Sequence, residues 1–490
     1  MTPNNDAPHR DRGPRVAYKW KALATAAMGT LMATMDAGIT NIALPTLATT
    51  FKADLTTVMW VTLTYILVCT SLTLVMGKMS DLVGRRKIYA IGTSIFTLGL
   101  MACSWSQSIS QLILFRTLQA VGAAMCISCG PAIVTESFPE KETGRGLGLL
   151  GSSVSLGFIV GPILGGFLLT WIGWRSIFYV RAPAGLVTLF MTLALLEKDL
   201  PKAGNINFDA RGILTSSAGL FCLVFGVSQI KASGATSPLV LVLVGIGVTS
   251  LLVFMLVERG ASDPIVDLSL FKNQVFSGAV SSLFLLCVAA PAFILIMPFY
   301  LIDGLSLSPS EAGLLLTVNA MVTILIAPIS GWLSDRFGSV WFSTVGAGLI
   351  TAAFFLVRSF DLQTQVTVII LVLVLLGLGI GTFNPPNNSA IMASVPRDRL
   401  GTASALIATL RQVGISLGMA FAGTGFSARR AIHRAKLSSQ GLDTTYVTKL
   451  SIPLAFRDVL LVGIFLGCLV ILLSFISGRR KAGVEPGSLH

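Results

Sequence analysis

Runs of about 20 apolar residues, separated by short polar gaps, recur from residue 20 to residue 477. Each is long enough to cross a bilayer as an α-helix, at about 1.5 Å of rise per residue. A membrane β-barrel would instead show segments of about ten alternating residues. The pattern predicts 14 spans, at about 20–46, 56–78, 87–106, 109–134, 144–171, 175–196, 208–230, 237–258, 274–302, 311–333, 339–358, 364–390, 400–426 and 455–477. The expected class is therefore an all-α polytopic membrane protein. An even number of crossings would put both chain ends on one side.

The polar gaps carry a repeat. Gly77-Lys78-Met79-Ser80-Asp81-Leu82-Val83-Gly84-Arg85-Arg86-Lys87 lies between the second and third runs. Gly331-Trp332-Leu333-Ser334-Asp335-Arg336-Phe337-Gly338 lies in an equivalent gap about 250 residues later. A second match joins Pro131 to Gly144 with Ser389 to Gly401. Together they align spans 1–6 with spans 9–14 and leave spans 7 and 8 unmatched. The expected organisation is a tail at 1–19, a six-helix bundle at 20–200, an inserted helix pair at 201–272, a second six-helix bundle at 273–478 and a tail at 479–490. Two such repeats around a central site suit alternating access.

Composition sharpens the class. The chain is 53% hydrophobic and 12% charged, with a mean hydropathy of +0.81, about half the charge of a soluble protein. The net charge of +13 does not point to nucleic acid, because the basic residues sit in the gaps, where they act as topology signals. Arg10, Arg12, Arg15, Lys19, Lys21, Arg85, Arg86, Lys87, Arg479, Arg480 and Lys481 would then lie in the cytoplasm with both termini. One gap disagrees: Arg429, Arg430, Arg434, Lys436, Lys449 and Arg457 would lie in an outer loop between spans 13 and 14. The seven cysteines all fall in apolar runs and read as small buried hydrophobes. Cys126 and Cys129 have the spacing of a redox or metal pair, with no second pair or nearby His to support it. No metal or cofactor is expected, and the first run reads as a retained helix.

Five motifs resemble the major facilitator superfamily, and most closely its 14-span drug:proton antiporter branch. The charged turn from Gly77 to Lys87 resembles the superfamily's loop between spans 2 and 3. Met35 to Pro45 is similar to the branch's first-helix motif, Leu114 to Gly122 to the fourth-helix arginine motif, Gly157 to Gly166 to the span-5 antiporter motif, and Arg411 to Gly418 to the span-13 pattern. The resemblance covers nearly the whole chain. It implies an exporter in the bacterial inner membrane, driven by the proton gradient; a monomer is the separate expectation for its assembly. One departure is Arg181, where the branch has an uncharged polar residue. The sequence puts this cation near the outer mouth, where it would make a purely cationic cargo less comfortable.

Candidate site residues follow. Asp36 lies mid-span, and a lone carboxylate there is costly enough to be functional by default. Burial would favour its neutral form, so it could take a proton on one side and release it on the other. It is the expected proton site and a possible counter-charge for cargo, with the permanently charged Arg116 as its coupling partner. The resemblance makes Gly77, Asp81, Gly84, Arg85 and Arg86 a conformational latch, Asp81 pairing with Arg85 or capping a helix near Gly401. Gly157, Gly161, Pro162, Gly165 and Gly166 fall on nearly one helical face and predict a tight interface between the halves. Asn41, Tyr65, Gln119, Tyr300, Asn319, Asn384 and Arg411, with Asp36, are candidates to line a cargo cavity. The Asn384-Pro385-Pro386-Asn387 stretch predicts a break in span 12.

The leading reading is export of amphiphilic, cationic compounds in exchange for protons. The alternative is export of an endogenous lipid, siderophore or metabolite, which the basic outer loop and Arg181 favour mildly. A membrane enzyme would need a nucleophile, metal cluster or paired acids. An ATP-driven pump would need a Gly-x4-Gly-Lys-Ser/Thr loop. The sequence contains neither arrangement.

Overall fold

The structure, a computed structural model, describes residues 13–139, 142–197, 210–234, 237–260, 268–395 and 400–479. The helices are α1 (Gly13–Thr50), α2 (Leu55–Val83), α3 (Arg85–Ser104), α4 (Ile109–Ser137), α5 (Thr143–Trp171), α6 (Ser176–Tyr179), α7 (Ala182–Leu195), α8 (Ala210–Ser233), α9 (Pro238–Gly260), α10 (Gln274–Phe299), α11 (Pro309–Phe337), α12 (Ser339–Leu356), α13 (Val366–Ala393), α14 (Leu400–Ser438) and α15 (Thr444–Arg479). Among the described residues, twelve helical segments are long and apolar enough to cross a membrane. Two further helices, α8 and α14, do not reach that measure over their described residues.

The first seven helices pack mainly on one another, through α1 on α5, α3 on α4 and α2 on α4. The last six do the same, through α11 on α13, α12 on α13 and α10 on α14 and α15. The two sets meet along α5 and α11, and along α2 and α14. At the second seam Thr70 Oγ1 and Ser416 Oγ are 2.7 Å apart. Between the sets, α8 and α9 pair together, and α8 also rests on α2 and α14. Ser217 Oγ donates to the Ser71 carbonyl at 2.6 Å, and Trp60 packs on Phe225 at 5.6 Å.

The repeated charged turn has the same local geometry twice. Ser80 Oγ donates to the Gly77 carbonyl and Ser334 Oγ to the Gly331 carbonyl, each at 2.7 Å. Each turn ends on a glycine at positive φ, +113° at Gly84 and +93° at Gly338. A side chain would be strained in that region, so glycine lets one helix stop and the next start at once.

Two expectations about helix ends are corrected. The basic gap between spans 13 and 14 is not a loop. α14 runs on to Ser438 and α15 begins at Thr444, leaving a short connection between two long helices. One of the charges that looked loop-like pairs across this hairpin, with a neighbouring histidine: Arg429 Nη2 and His433 Nε2 lie 2.6 and 2.7 Å from Asp458 Oδ2. Nor does Pro385-Pro386 break its span, since α13 is continuous through it. Proline at 385 gives no N–H to the Gly381 carbonyl. Ser330 Oγ of α11 donates to that carbonyl instead, at 2.6 Å.

Candidate functional site

Asp36 is fully buried on α1 and is not alone. Arg116 Nη1 lies 2.6 Å from its Oδ2, and Arg181 Nη1 lies 2.6 Å from its Oδ1. Gln119 Nε2 also donates to Oδ1, at 2.9 Å. Arg116 and Gln119 are one turn apart on α4, the spacing that puts two side chains on one helix face, and Arg116 Nη1 also donates to Gln119 Oε1 at 2.8 Å. From α2 the Val61 carbonyl accepts from Arg116 Nε at 3.1 Å. The Tyr65 ring lies 4.2 Å from the Arg116 guanidinium carbon, a cation–π contact.

Arg181 enters from a break in the sixth span. Pro183 gives no N–H to the Tyr179 carbonyl of the preceding turn. The span accordingly divides into α6 and α7, with Arg181 capping α7. Its Nε donates to the Ile177 carbonyl at 2.7 Å, and its Nη1 reaches Asp36. The expectation of a cation at the outer mouth is therefore corrected: Arg181 is 2% exposed and belongs to the buried cluster. Pro183 was the available sequence signal, since a proline two residues after a cation marks a place where a span opens and its side chain can turn inward.

The cluster holds two guanidiniums, which stay charged, against one carboxylate. Its formal charge is therefore one positive with Asp36 ionised. Both carboxylate oxygens accept from charged donors. Arg116 Nη2, Arg181 Nη2, Tyr65 Oη and Thr40 Oγ1 are buried without a protein hydrogen-bond partner among the described residues. Each such group costs about 1–3 kcal/mol if nothing satisfies it. Two of these four groups, the guanidinium nitrogens, can only donate, and the two hydroxyls can donate or accept.

The glycine motif sets the position of α1 at this site. A Cβ on Gly161 would meet the Met35 carbonyl oxygen at 2.8 Å, and one on Gly165 would meet Ile42 Cγ2 at 2.7 Å and Ile39 Cα at 3.1 Å. From the other side, a Cβ on Gly38 would meet Pro162 Cδ at 2.7 Å. The motif expected at an interface between halves faces two ways. Gly157, Gly161 and Gly165 face α1 within the first set of helices, whereas Gly166 and the Pro162 carbonyl face Pro309 and Gly313 of α11. One motif serves two packings because Pro162 and neighbouring glycines present small surfaces on both sides of α5.

The remaining candidates divide. Asn41 Oδ1 accepts from Thr62 Oγ1 at 3.2 Å, one turn or so beyond Asp36. Tyr300 does not line a cavity: it is fully buried, stacks on Phe360 at 5.0 Å and donates to the Asp361 carbonyl at 2.7 Å. Asn319, Asn384 and Arg411 are half-buried on α11, α13 and α14, and no bond joins them to the Asp36 cluster among the described residues. Asn319 Oδ1 instead accepts from Thr323 Oγ1 at 3.4 Å. Of the charged turn, the Asp81 side chain lies outside the described residues. Arg85 donates to the Ala132 carbonyl at 2.8 Å and pairs with Glu136 at 3.0 Å, while Arg86 donates to the Thr192 and Leu193 carbonyls. These partners are all on α4 and α7, in the first set of helices.

A multi-pass helical fold with Asp36, Arg116 and Arg181 gathered in its interior is consistent with a membrane transporter. The chain belongs to the Major Facilitator Superfamily, whose family model matches residues 26–419. It is 35% identical to the riboflavin transporter RibZ of Clostridioides difficile over 84% of this chain and 88% of that protein. It is 31% identical to the multidrug resistance protein Stp of Mycobacterium tuberculosis over 83% and 75% of the two chains. With the tetracenomycin C resistance and export protein of Streptomyces glaucescens it shares 28% identity over 84% and 76%. Among solved structures, a bacterial homologue of the lysosomal transporter Spinster superposes with a TM-score of 0.69 at 15% identity, covering 96% of this chain and 99% of that one. A D-xylose–proton symporter gives 0.64 at 14% identity, covering 94% and 98%. Both share the fold.

Proposed function

We propose that the protein exports amphiphilic compounds in exchange for protons by alternating access, with Asp36 as the proton site and Arg116 and Arg181 as its coupling partners. The observation that carries this reading is the sharing of one buried carboxylate by two guanidiniums. A proton can bind Asp36 only as the guanidiniums give up its oxygens. Protonation would leave two buried cations without a counter-charge, at a cost of several kcal/mol. The protonated and deprotonated forms therefore favour different helix arrangements, which is what coupling requires. On this reading the chain crosses the membrane fourteen times, with α8 and α9 inserted between two six-helix halves. The face bearing both chain ends lies in the cytoplasm of a bacterial cell, supported by the Lys and Arg excess there.

The cluster's charge bears on the cargo. A net positive, donor-rich site repels lipophilic cations and suits neutral or anionic compounds with hydrogen-bond acceptors. This favours the second reading, export of an endogenous metabolite, over export of cationic drugs. The 35% identity to a riboflavin transporter points the same way, because the flavin ring is planar, uncharged and rich in acceptors.

The test uses purified protein in liposomes with an imposed pH gradient. Riboflavin, fluorescein and ethidium serve as neutral, anionic and cationic probes, and proton flux is recorded on addition of each. Flux triggered by riboflavin or fluorescein and weak for ethidium supports the reading. Flux triggered by ethidium alone would restore the cationic cargo, and no flux with any probe would remove proton coupling.

A further inference from the structure

On the face opposite the chain ends, the two sets of helices part around a cavity of about 690 Å³, the size of a small-molecule site. Leu55 and Ala48, from the start of α2 and the end of α1, form one wall. Asp303, Arg430, Arg434 and Lys449 line the other. We propose that this cavity binds an amphiphile bearing a carboxylate or phosphate, its acidic head on Arg430 and Arg434 and its apolar body against Leu55 and Ala48.

The argument starts with α14, which carries two basic pairs at a spacing of four residues, one helical turn. Arg429 and His433 turn to α15, where both contact Asp458. Arg430 and Arg434, one position further on, turn to the cavity. Arg430 Nε has a long hydrogen bond to Ser451 Oγ at 3.4 Å, and neither arginine has a carboxylate within ion-pair distance among the described residues. Lys449 Nζ donates to Ser306 Oγ at 2.7 Å, so its charge also stays unpaired by any described acid.

Two acids share the cavity. Asp54 caps α2, accepting from the Thr56 and Thr57 amides and from Thr57 Oγ1. Asp303 acts electrostatically on Arg430. Three cations against two acids, one already occupied as a cap, leave the cavity positive. Topology does not explain these cations, since Lys and Arg near the spans are normally held to the face with the chain ends. An acidic ligand does, because paired guanidiniums recognise carboxylate and phosphate. The site is separate from the Asp36 cluster and stands whether or not Asp36 couples protons.

The test is equilibrium binding of radiolabelled dodecyl phosphate to the full-length protein in phosphatidylcholine nanodiscs, with dodecyltrimethylammonium as the charge control. The expected result is saturable binding of the phosphate only. Affinity should fall about tenfold or more in an Arg430→Gln/Arg434→Gln variant, equivalent to about 1.4 kcal/mol, and stay near wild type in Arg429→Gln. Should the double variant lose its fold, Lys449→Gln reads the same site and should also weaken binding. A second arm adds phosphatidylglycerol to the nanodiscs. Competition with dodecyl phosphate would assign the site to a lipid headgroup, and its absence would assign it to an acidic solute. Equal binding by wild type and the glutamine variants, or equal binding of the cationic control, would overturn the proposal.

Discussion

Arg181 Nη1 lies 2.6 Å from Asp36 Oδ1, the carboxylate oxygen opposite the one held by Arg116. The second guanidinium turns a neutral ion pair into a cluster of net positive charge, and on the proposed function this charge sets which cargo the site accepts. At an effective dielectric of about 20, one unit charge at 4 Å is worth about 4 kcal/mol, ample to set a preference between cations and anions.

Arg181→Gln should therefore change selectivity more than fold. Asp36 keeps Arg116 and Gln119, and the cluster becomes neutral. The ratio of ethidium to fluorescein transport in proteoliposomes should rise about tenfold or more, corresponding to about 1.4 kcal/mol. An unchanged ratio with normal protein levels would show that Arg181 does not set cargo charge.

The glycine face of α5 should be intolerant where it meets backbone. A methyl group at Gly161 would sit 2.8 Å from the Met35 carbonyl oxygen, next to Asp36, while one at Gly151 meets nothing within 4 Å. Gly161→Ala should lower thermal stability in detergent by about 1–3 kcal/mol, the range for overpacking, and reduce transport. Gly151→Ala should do neither. Equal behaviour of the two variants would mean that close packing of α1 on α5 is not what positions Asp36.

The continuity of α13 should depend on a hydroxyl from its neighbour. Ser330→Ala leaves the Gly381 carbonyl, freed by Pro385, without its 2.6 Å partner. A loss of about 1–3 kcal/mol is expected for a buried unsatisfied carbonyl, measured by thermal unfolding, with Ser330→Thr close to wild type. No loss in the alanine variant would mean that another group satisfies Gly381.

The fold class was legible because membrane spans are written in long apolar runs and the charged turns repeat. Asp36 and Arg116 were legible for a related reason, since a charge inside a span is costly enough to mark itself. Arg181 was harder. It stands near a predicted span end, and only the break made by Pro183 turns it inward. The basic gap between spans 13 and 14 was misread as a loop because hydropathy does not register pairing such as that of Arg429 and His433 with Asp458 across two helices. Tyr300 was a poor cavity candidate because a phenol satisfied by the Asp361 backbone carbonyl looks, in sequence, like one facing a ligand.

The most direct test of the central claim compares wild type with Asp36→Asn in proteoliposomes that carry riboflavin and an imposed pH gradient. Proton flux coupled to riboflavin movement is expected in wild type and should vanish in the variant, while Asp36→Glu, which keeps an ionisable group between Arg116 and Arg181, should retain part of it. Full gradient-driven transport by Asp36→Asn would contradict the assignment of Asp36 as the proton site.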